Sequence, residues 1–314
     1  MVIIAHQTMQ AINDKMFADQ GAVFRSHLKK LILLADDAYS TDTFPFRKHL
    51  GASLIGNDCA RKTWYSWHWA KEIKFDARIL RLFNRGHLEE PRMMALLMMI
   101  GCKVWQFDTN GKQYRIDGHS GHYGGSLDGV ALGIPEFPDL PGLTEFKTHS
   151  DKSFNEVKAK GVLLAKPEHF QQQQQYMGHH KLTFALYMAV NKNTDEIYAE
   201  IIMFDKLYYD KYFALAGQIV GSKVPLAKIS KNSKFYTCTY CDFKPICHGK
   251  DLPARNCRTC VHSEAHLGNN EGEWHCVNVL NYKPELHYPI VLNKEQQLQG
   301  CDKYQVNPYI KEEL

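Results

Sequence analysis

The chain predicts an α/β fold with a small mixed sheet, and three features of its 314 residues carry that prediction. Helical segments alternate with short runs of strand character in the order helix, hairpin, helix, strand, helix. Glycine- and proline-rich turns separate the strands. An apolar share of 44% and a mean hydropathy of -0.40 describe a soluble globular chain with a real core.

Taken in order, residues 1–50 read as a fairly polar helical region ending near TDTFPFRKHL. Two helices follow, the second running from near Ile79 to Gly101, a C-cap glycine. KVWQFD and YRIDGHSGHYGGSLDGVAL read as strands separated by glycine-rich turns. GIPEFPDLPG holds three prolines and two glycines in ten residues and reads as a loop, with LTEFKTHS a short strand after it. EHFQQQQQYMGHHKLTFALYMAVN begins as a helix, EIYAEIIMFD is a strand, and KLYYDKYFALAGQIV is a helix. The glutamine run is too short for a prion-like tract and sits among good helix formers.

Composition narrows the function classes. The most apolar run, Met93 to Ile100, is too short to span a bilayer. The N-terminus lacks the basic region and cleavage site of a secretory signal, so a cytoplasmic protein is expected. Its nine cysteines then read as metal ligands or core residues rather than disulfides. Net charge is only +4, but two stretches are basic: seven Lys/Arg against two acids from Arg61 to Arg85, and eight against two from Lys223 to Arg258. Such clusters suit a polyanion partner, and equally a pair of solvated helix faces.

Two short stretches carry the chemistry. In LTEFKTHS the side chains alternate, so Glu145 and Lys147 share a face while Phe146 takes the other. If this strand pairs with the one that Asp128 adjoins in GGSLDGV, Asp128 and Glu145 meet at one end. Two such acids repel unless a cation sits between them. Mg²⁺ suits one or two carboxylates with water and phosphate, and the Lys147 ammonium could activate a water or stabilise a crowded phosphate. The combination points to metal-assisted phosphodiester hydrolysis. Upstream, RGHLEEP opens a helix with Glu89 and Glu90; downstream, Gln172 and Tyr176 lie four apart on one helical face.

With G-x-x-x-E-P before D-G-V and E-F-K, and Q-x-x-x-Y after, the chain resembles the PD-(D/E)xK nuclease superfamily, in particular its RecB-type and lambda-exonuclease-like branches. The resemblance runs from Ser53 to His248 and implies a restriction-endonuclease-like core, a central mixed β-sheet flanked by helices. It also implies a Mg²⁺- or Mn²⁺-dependent deoxyribonuclease. On this pattern Asp128 and Glu145 hold the metal, Glu90 contacts it directly or through water, Lys147 is the catalytic lysine, and Gln172 and Tyr176 orient the substrate. Glu89 takes the place of Glu90 if the helix phase differs by one, and Gln171, Gln173 or Gln174 can take that of Gln172. His87 lies near a position where RecB-type members carry histidine, though at a different spacing.

Cys238, Cys241 and Cys247 form C-x2-C-x5-C and lack a fourth thiolate nearby. Upstream, Cys59 is followed by Arg61, Lys62, Trp64 and Tyr65. This resembles the first cysteine of iron–sulfur RecB-type nucleases, such as those of CRISPR adaptation and bacterial end resection. The resemblance implies a 4Fe–4S cluster on Cys59, Cys238, Cys241 and Cys247, although spacing alone equally admits zinc. Trp64, Tyr65, Trp67 and Trp69, with Arg61 and Lys62, could stack on single-stranded bases or pack a helix on the core. Cys257, Cys260, Cys276 and Cys301 form a further four-thiolate set suited to structural Zn²⁺, with His262, His266 or His275 able to replace one ligand. Cys102 is left over and reads as a core cysteine.

The expected organisation is an N-terminal helical region (1–50), a nuclease domain (51–250) and a small C-terminal four-cysteine metal-binding module (251–314). The expected activity is exonucleolytic processing of DNA ends, possible single strands included, for recombination or repair. A single-strand annealing protein or helicase is the expected protein partner, a bacteriophage is one expected source, and no membrane is involved. The alternatives are an endonuclease cutting internally or at branched structures, and a DNA-binding scaffold whose metals are structural.

Overall fold

The computed structural model describes residues 2–35, 46–279 and 289–311. Part of the TDTFPFRKHL segment therefore lies outside the described residues. The chain forms two compact units whose segments interleave: 1–43, 75–116 and 126–209 make the first, and 44–74, 117–125 and 210–314 the second. This differs from the three consecutive spans expected. The N-terminal helices belong with the central sheet, while the segments around Cys59 and Cys238 belong with the C-terminal residues. No helix among the described residues is long and apolar enough to cross a membrane.

The first unit is a mixed α/β structure. Its main elements are β1 (Ile3–Ile4), α1 (His6–Asp19), α2 (Ala22–Leu31), α3 (Ala77–Met99), β2 (Lys103–Trp105) and β3 (Gly129–Leu132). There follow β4 (Gly142–His149), α4 (Asp151–Lys160), α5 (Pro167–His180), β5 (Phe184–Asn191) and β6 (Ile197–Met203). They build a six-stranded sheet in the order β1-β6-β5-β4-β3-β2. Only β4 and β5 run parallel; the other neighbours are antiparallel. A parallel pair needs a crossover, and α4 and α5 supply it.

The residues explain the pattern. β5 is FALYMAVN, apolar almost throughout and buried at all eight positions, as a central strand covered on both faces requires. The sequence marks a helix only at the start of EHFQQQQQYMGHHKLTFALYMAVN, because the continuous apolar run that ends it has no period to separate strand from buried helix. α3 starts two residues before the expected Ile79, because the Asp76 side chain accepts the Ile79 N–H at 2.9 Å as an N-cap. One face of the sheet is apolar: Phe146 of β4, Leu186 and Met188 of β5 and Ile201 of β6 join Met93, Leu96 and Leu97 of α3 in one core.

The second unit is organised around tryptophan. Trp64, Trp69 and Trp274 are almost wholly buried. Arg258, itself 3% exposed, lies with its guanidinium 3.7 Å from the Trp69 ring centre and 4.8 Å from that of Trp274. It donates to the Trp67 and Lys48 carbonyls at 3.0 and 2.8 Å and to Gln297 Oε1 at 3.0 Å. Burial holds its pKa well below the usual guanidinium range. The C-terminal part adds an antiparallel sheet of Ser263–Ala265, Trp274–Cys276 and Ile290–Leu292.

Gly142 begins β4 where a side chain has no room: a Cβ there would lie 2.4 Å from the Phe184 ring on β5. Gly142→Ala is expected to destabilise the chain by about 1–3 kcal/mol through overpacking. A thermal unfolding midpoint equal to that of the parent would show that Phe184 moves aside.

Candidate active site and metal centres

The alternation of β4 sets the first site. Phe146 enters the apolar core, so Glu145 and Lys147 stand on the sheet's other face. The β3–β4 register pairs Gly129 with Thr144 and so brings Asp128 beside Glu145. The Phe146 N–H donates to Asp128 Oδ2 at 2.8 Å and ties that carboxylate to the strand. Lys147 Nζ donates to Glu145 Oε1 and to the Phe146 carbonyl, the latter at 3.3 Å. The Glu145 side chain is fully buried, whereas that of Lys147 keeps 23% of its surface exposed. The second oxygen, Glu145 Oε2, is buried and receives no hydrogen bond. A carboxylate oxygen turned inward without a donor suits a cation, because leaving it bare costs free energy.

Electrostatics follow from that geometry. Burial raises the Glu145 pKa; the Lys147 ammonium opposes this and the Asp128 charge adds to it. Burial works against the Lys147 charge, but Glu145 and Asp128 outweigh it and hold the ammonium above the ordinary lysine range.

α5 supplies the next layer. Of its five consecutive glutamines, Gln172 reaches Tyr176, donating to Oη at 3.0 Å. Gln173 donates to the His169 carbonyl, Gln174 binds Met203 and Asp205, and Gln175 donates to the Tyr209 carbonyl. Those three serve the fold, and Gln171 is buried without a hydrogen bond at Oε1. Tyr176 is 2% exposed, and its phenol is raised by burial and then by the nearby Glu145.

Beside these lies a group that the sequence reading missed. Tyr187, the β5 register partner of Glu145, sits with its hydroxyl 2.8 Å from His149 Nε2 and 3.1 Å from His169 Nδ1. One hydroxyl proton means that Tyr187 donates to one imidazole and accepts from the other. Burial, followed by the charge of nearby lysines that include Lys147, lowers His149 to about 4 and His169 to about 2, so both stay neutral. A signal was available: His149 stands two residues after Lys147 on one strand face, and His169 seven before Tyr176 on one helical face.

Glu90 is placed differently. It lies in α3, one turn before the buried Met93–Met99 stretch, with Oε1 4.0 Å from His87 Nδ1. Glu89 instead pairs with Arg92 at 2.9 Å. Among the described residues, one trio of metal-ligating groups has all its ligand atoms within 4.8 Å of one another, namely His266, Glu273 and His275. Glu90, Asp128 and Glu145 are not among the trios that close to that spacing; Asp128 and Glu145 are brought together directly with Lys147.

In the second unit, Cys59, Cys238, Cys241 and Cys247 line one cavity, although 179 residues separate the first two. Cys59 precedes the helix Ala60–Trp67, the single turns Tyr236–Thr239 and Lys244–Cys247 carry Cys238 and Cys247, and Cys241 lies between those turns. Arg61, Lys62, Lys228 and Lys244 line the same cavity, a donor set and charge balance that suit a thiolate-bound cluster. Cys257, Cys260, Cys276 and Cys301 line a second cavity with His262. Burial, then the other three sulfurs, pushes the Cys257 thiol up to about 12. His266 and His275 are not in that lining, so of the three candidate substitutes only His262 is positioned there. Cys102 is buried and donates to the Gly133 carbonyl at 3.2 Å, as a core cysteine does.

Of the two expectations for the aromatic run after Cys59, the core one holds for all four rings. Trp64, Tyr65, Trp67 and Trp69 are all at most 3% exposed, which leaves no ring face for a base. Arg61 is also buried and binds the Tyr65 hydroxyl and the carbonyls of Leu226 and Ile310. Three of the rings lie on the helix Ala60–Trp67, whose half-buried Lys62 and Ser66 sit four apart, and Trp69 follows it.

No family model matches the chain, and no curated protein does. Among solved structures, an alkaline exonuclease from Laribacter hongkongensis, LHK-Exo, is 15% identical over 55% of this chain and 86% of its own, with a TM-score of 0.41. LHK-Exo in complex with dAMP has the same identity and coverage and a TM-score of 0.39. SSO0001 is 16% identical over 74% of this chain and all of its own, with a TM-score of 0.36.

Proposed function

We propose that this chain is a metal-dependent DNA exonuclease of the PD-(D/E)xK type, built on a restriction-endonuclease-like core and hydrolysing phosphodiester bonds at DNA ends for recombination or repair. One observation carries the reading: the buried, donor-free Glu145 Oε2 lies beside Asp128 and Lys147 on one sheet face. A pair of acids with a lysine held between sheet and helix suits phosphate chemistry better than a structural ion pair. A structural pair would satisfy both carboxylate oxygens.

Asp128 and Glu145 would hold Mg²⁺ or Mn²⁺, with Glu90 reaching it through water; the bound ion supplies Lewis acidity and an activated water. Lys147, partly exposed beside the acids, offsets negative charge on the phosphate as it is attacked. Gln172 holds the Tyr176 hydroxyl near Glu145, Asp128 and Lys147. The neutral His149–Tyr187–His169 group keeps that face rigid without adding a competing positive charge. Cys59, Cys238, Cys241 and Cys247 hold a 4Fe–4S cluster, and Cys257, Cys260, Cys276 and Cys301 hold Zn²⁺, both as structural staples.

The decisive experiment compares end-labelled linear DNA with closed circular DNA in Mn²⁺. Linear DNA alone should be degraded, and Asp128→Ala and Lys147→Ala should each lower the rate at least about a hundredfold, the scale of a lost electrostatic or acid–base group. Cutting of the circle would make the enzyme an endonuclease; full activity in either variant would refute the site. Because burial raises Glu145, its protonated form persists to higher pH than an ordinary carboxylate would allow. Protons then compete with the cation for that carboxylate, so the Mn²⁺ concentration needed for half-maximal cleavage should rise as pH drops through neutrality, and a requirement unchanged down to about pH 5 would contradict this. Anaerobically purified protein should be brown, and Cys59→Ser should lose iron while keeping zinc; Cys276→Ser should do the reverse. Elemental analysis showing both metals lost together would mean the cysteines are divided otherwise.

A further inference from the structure

We infer that His266, Glu273 and His275 form a third metal site in the second unit, one that binds a divalent transition ion such as Zn²⁺, Co²⁺ or Ni²⁺. Their ligand atoms all lie within 4.8 Å of one another. The arrangement follows from a β-hairpin. Glu264 pairs with His275 and Ala265 with Trp274, and the His266 N–H continues the ladder by donating to the Glu273 carbonyl at 2.8 Å. His266 thus stands opposite Glu273, and His275 is two residues further along the same face. The two imidazoles stack at 4.2 Å between ring centres, and His275 Nε2 lies 3.2 Å from Glu273 Oε2.

The surroundings orient these groups as outer partners of a metal site do. Asn269 Nδ2 donates to Glu273 Oε2 at 2.9 Å. His122 Nε2 donates to the His266 carbonyl at 3.0 Å, and the loop between the strands is pinned by Ser120 Oγ on the Leu267 carbonyl and by the Gly272 N–H on the Ser120 carbonyl, both at 2.9 Å. Glu264 shares the face but is engaged by Lys223. The His275 side chain is 8% exposed and that of Glu273 28%, so an ion would be partly shielded yet reachable.

This is not the four-cysteine set under another name. His275 and Cys276 are consecutive on one strand, so their side chains leave opposite faces. Two imidazoles and one carboxylate suit borderline transition ions rather than Mg²⁺ or Ca²⁺, and they leave coordination positions open. A bound ion would close the hairpin at the foot of its loop.

Calorimetric titration of the full chain with Ni²⁺, in excess Mg²⁺ to occupy the Asp128–Glu145 site and after a weak-chelator wash that leaves thiolate-bound metal in place, should find a single further equivalent. Glu273→Gln and His266→Gln should each weaken it at least about tenfold while leaving iron and zinc contents unchanged. If one variant loses its cooperative unfolding transition, the other decides. The corresponding Co²⁺ complex should show no thiolate-to-cobalt charge transfer. Absence of a further equivalent, undiminished affinity in the folded variants, or a thiolate charge-transfer band would overturn the assignment.

Discussion

The first unit depends on one constraint: a strand in the middle of a buried sheet carries a carboxylate and an ammonium. Taking such a pair out of water costs on the order of several kcal/mol per ion, and mutual attraction alone offsets this poorly. The surrounding fold is arranged to compensate. Phe146 anchors the strand on the apolar side and lends its N–H to Asp128, Lys147 bridges back to Glu145, and Tyr176 and Tyr187 close over the charged side. One Glu145 oxygen is left uncompensated, and that deficit is what makes the place chemically interesting.

The helix over this face works as a comb. Gln174 and Gln175 of α5 fasten it to Met203, Asp205 and Tyr209, Gln173 turns back to the His169 carbonyl of the same helix, and Gln172 serves Tyr176. A position in that run therefore matters by its direction and not by its residue type. Tyr187 and its two imidazoles extend the same logic across the crossover: β4 supplies His149, β5 supplies Tyr187 and α5 supplies His169. Three elements distant in sequence meet at one hydroxyl, and burial keeps both imidazoles uncharged beside a lysine.

The second unit solves a different problem. Its C-terminal strands are three residues long and cannot bury much on their own. Order comes from tryptophans around the Arg258 guanidinium and from cysteines gathered at two cavities. Burying Arg258 requires that its donors be used, and two carbonyls and Gln297 use them.

Much of this was legible in the sequence because it is local. Strand alternation alone separated Phe146 from Glu145 and Lys147, Gly-rich turns marked the hairpins, and C-x2-C spacing marked both thiolate pairs. The parallel β4–β5 pair, the edge strand β1 and the interleaving of the two units were not legible, since each depends on partners far along the chain. For the same reason the aromatic run after Cys59 was open between a base-stacking surface and core packing, and only burial in the packed unit decides for the core. What the sequence by itself determined is which residues can carry charge, metal or a turn, because those properties belong to the residue and its immediate neighbours. Which of them face one another was decided only by the tertiary structure, because burial and register are properties of the packed sheet.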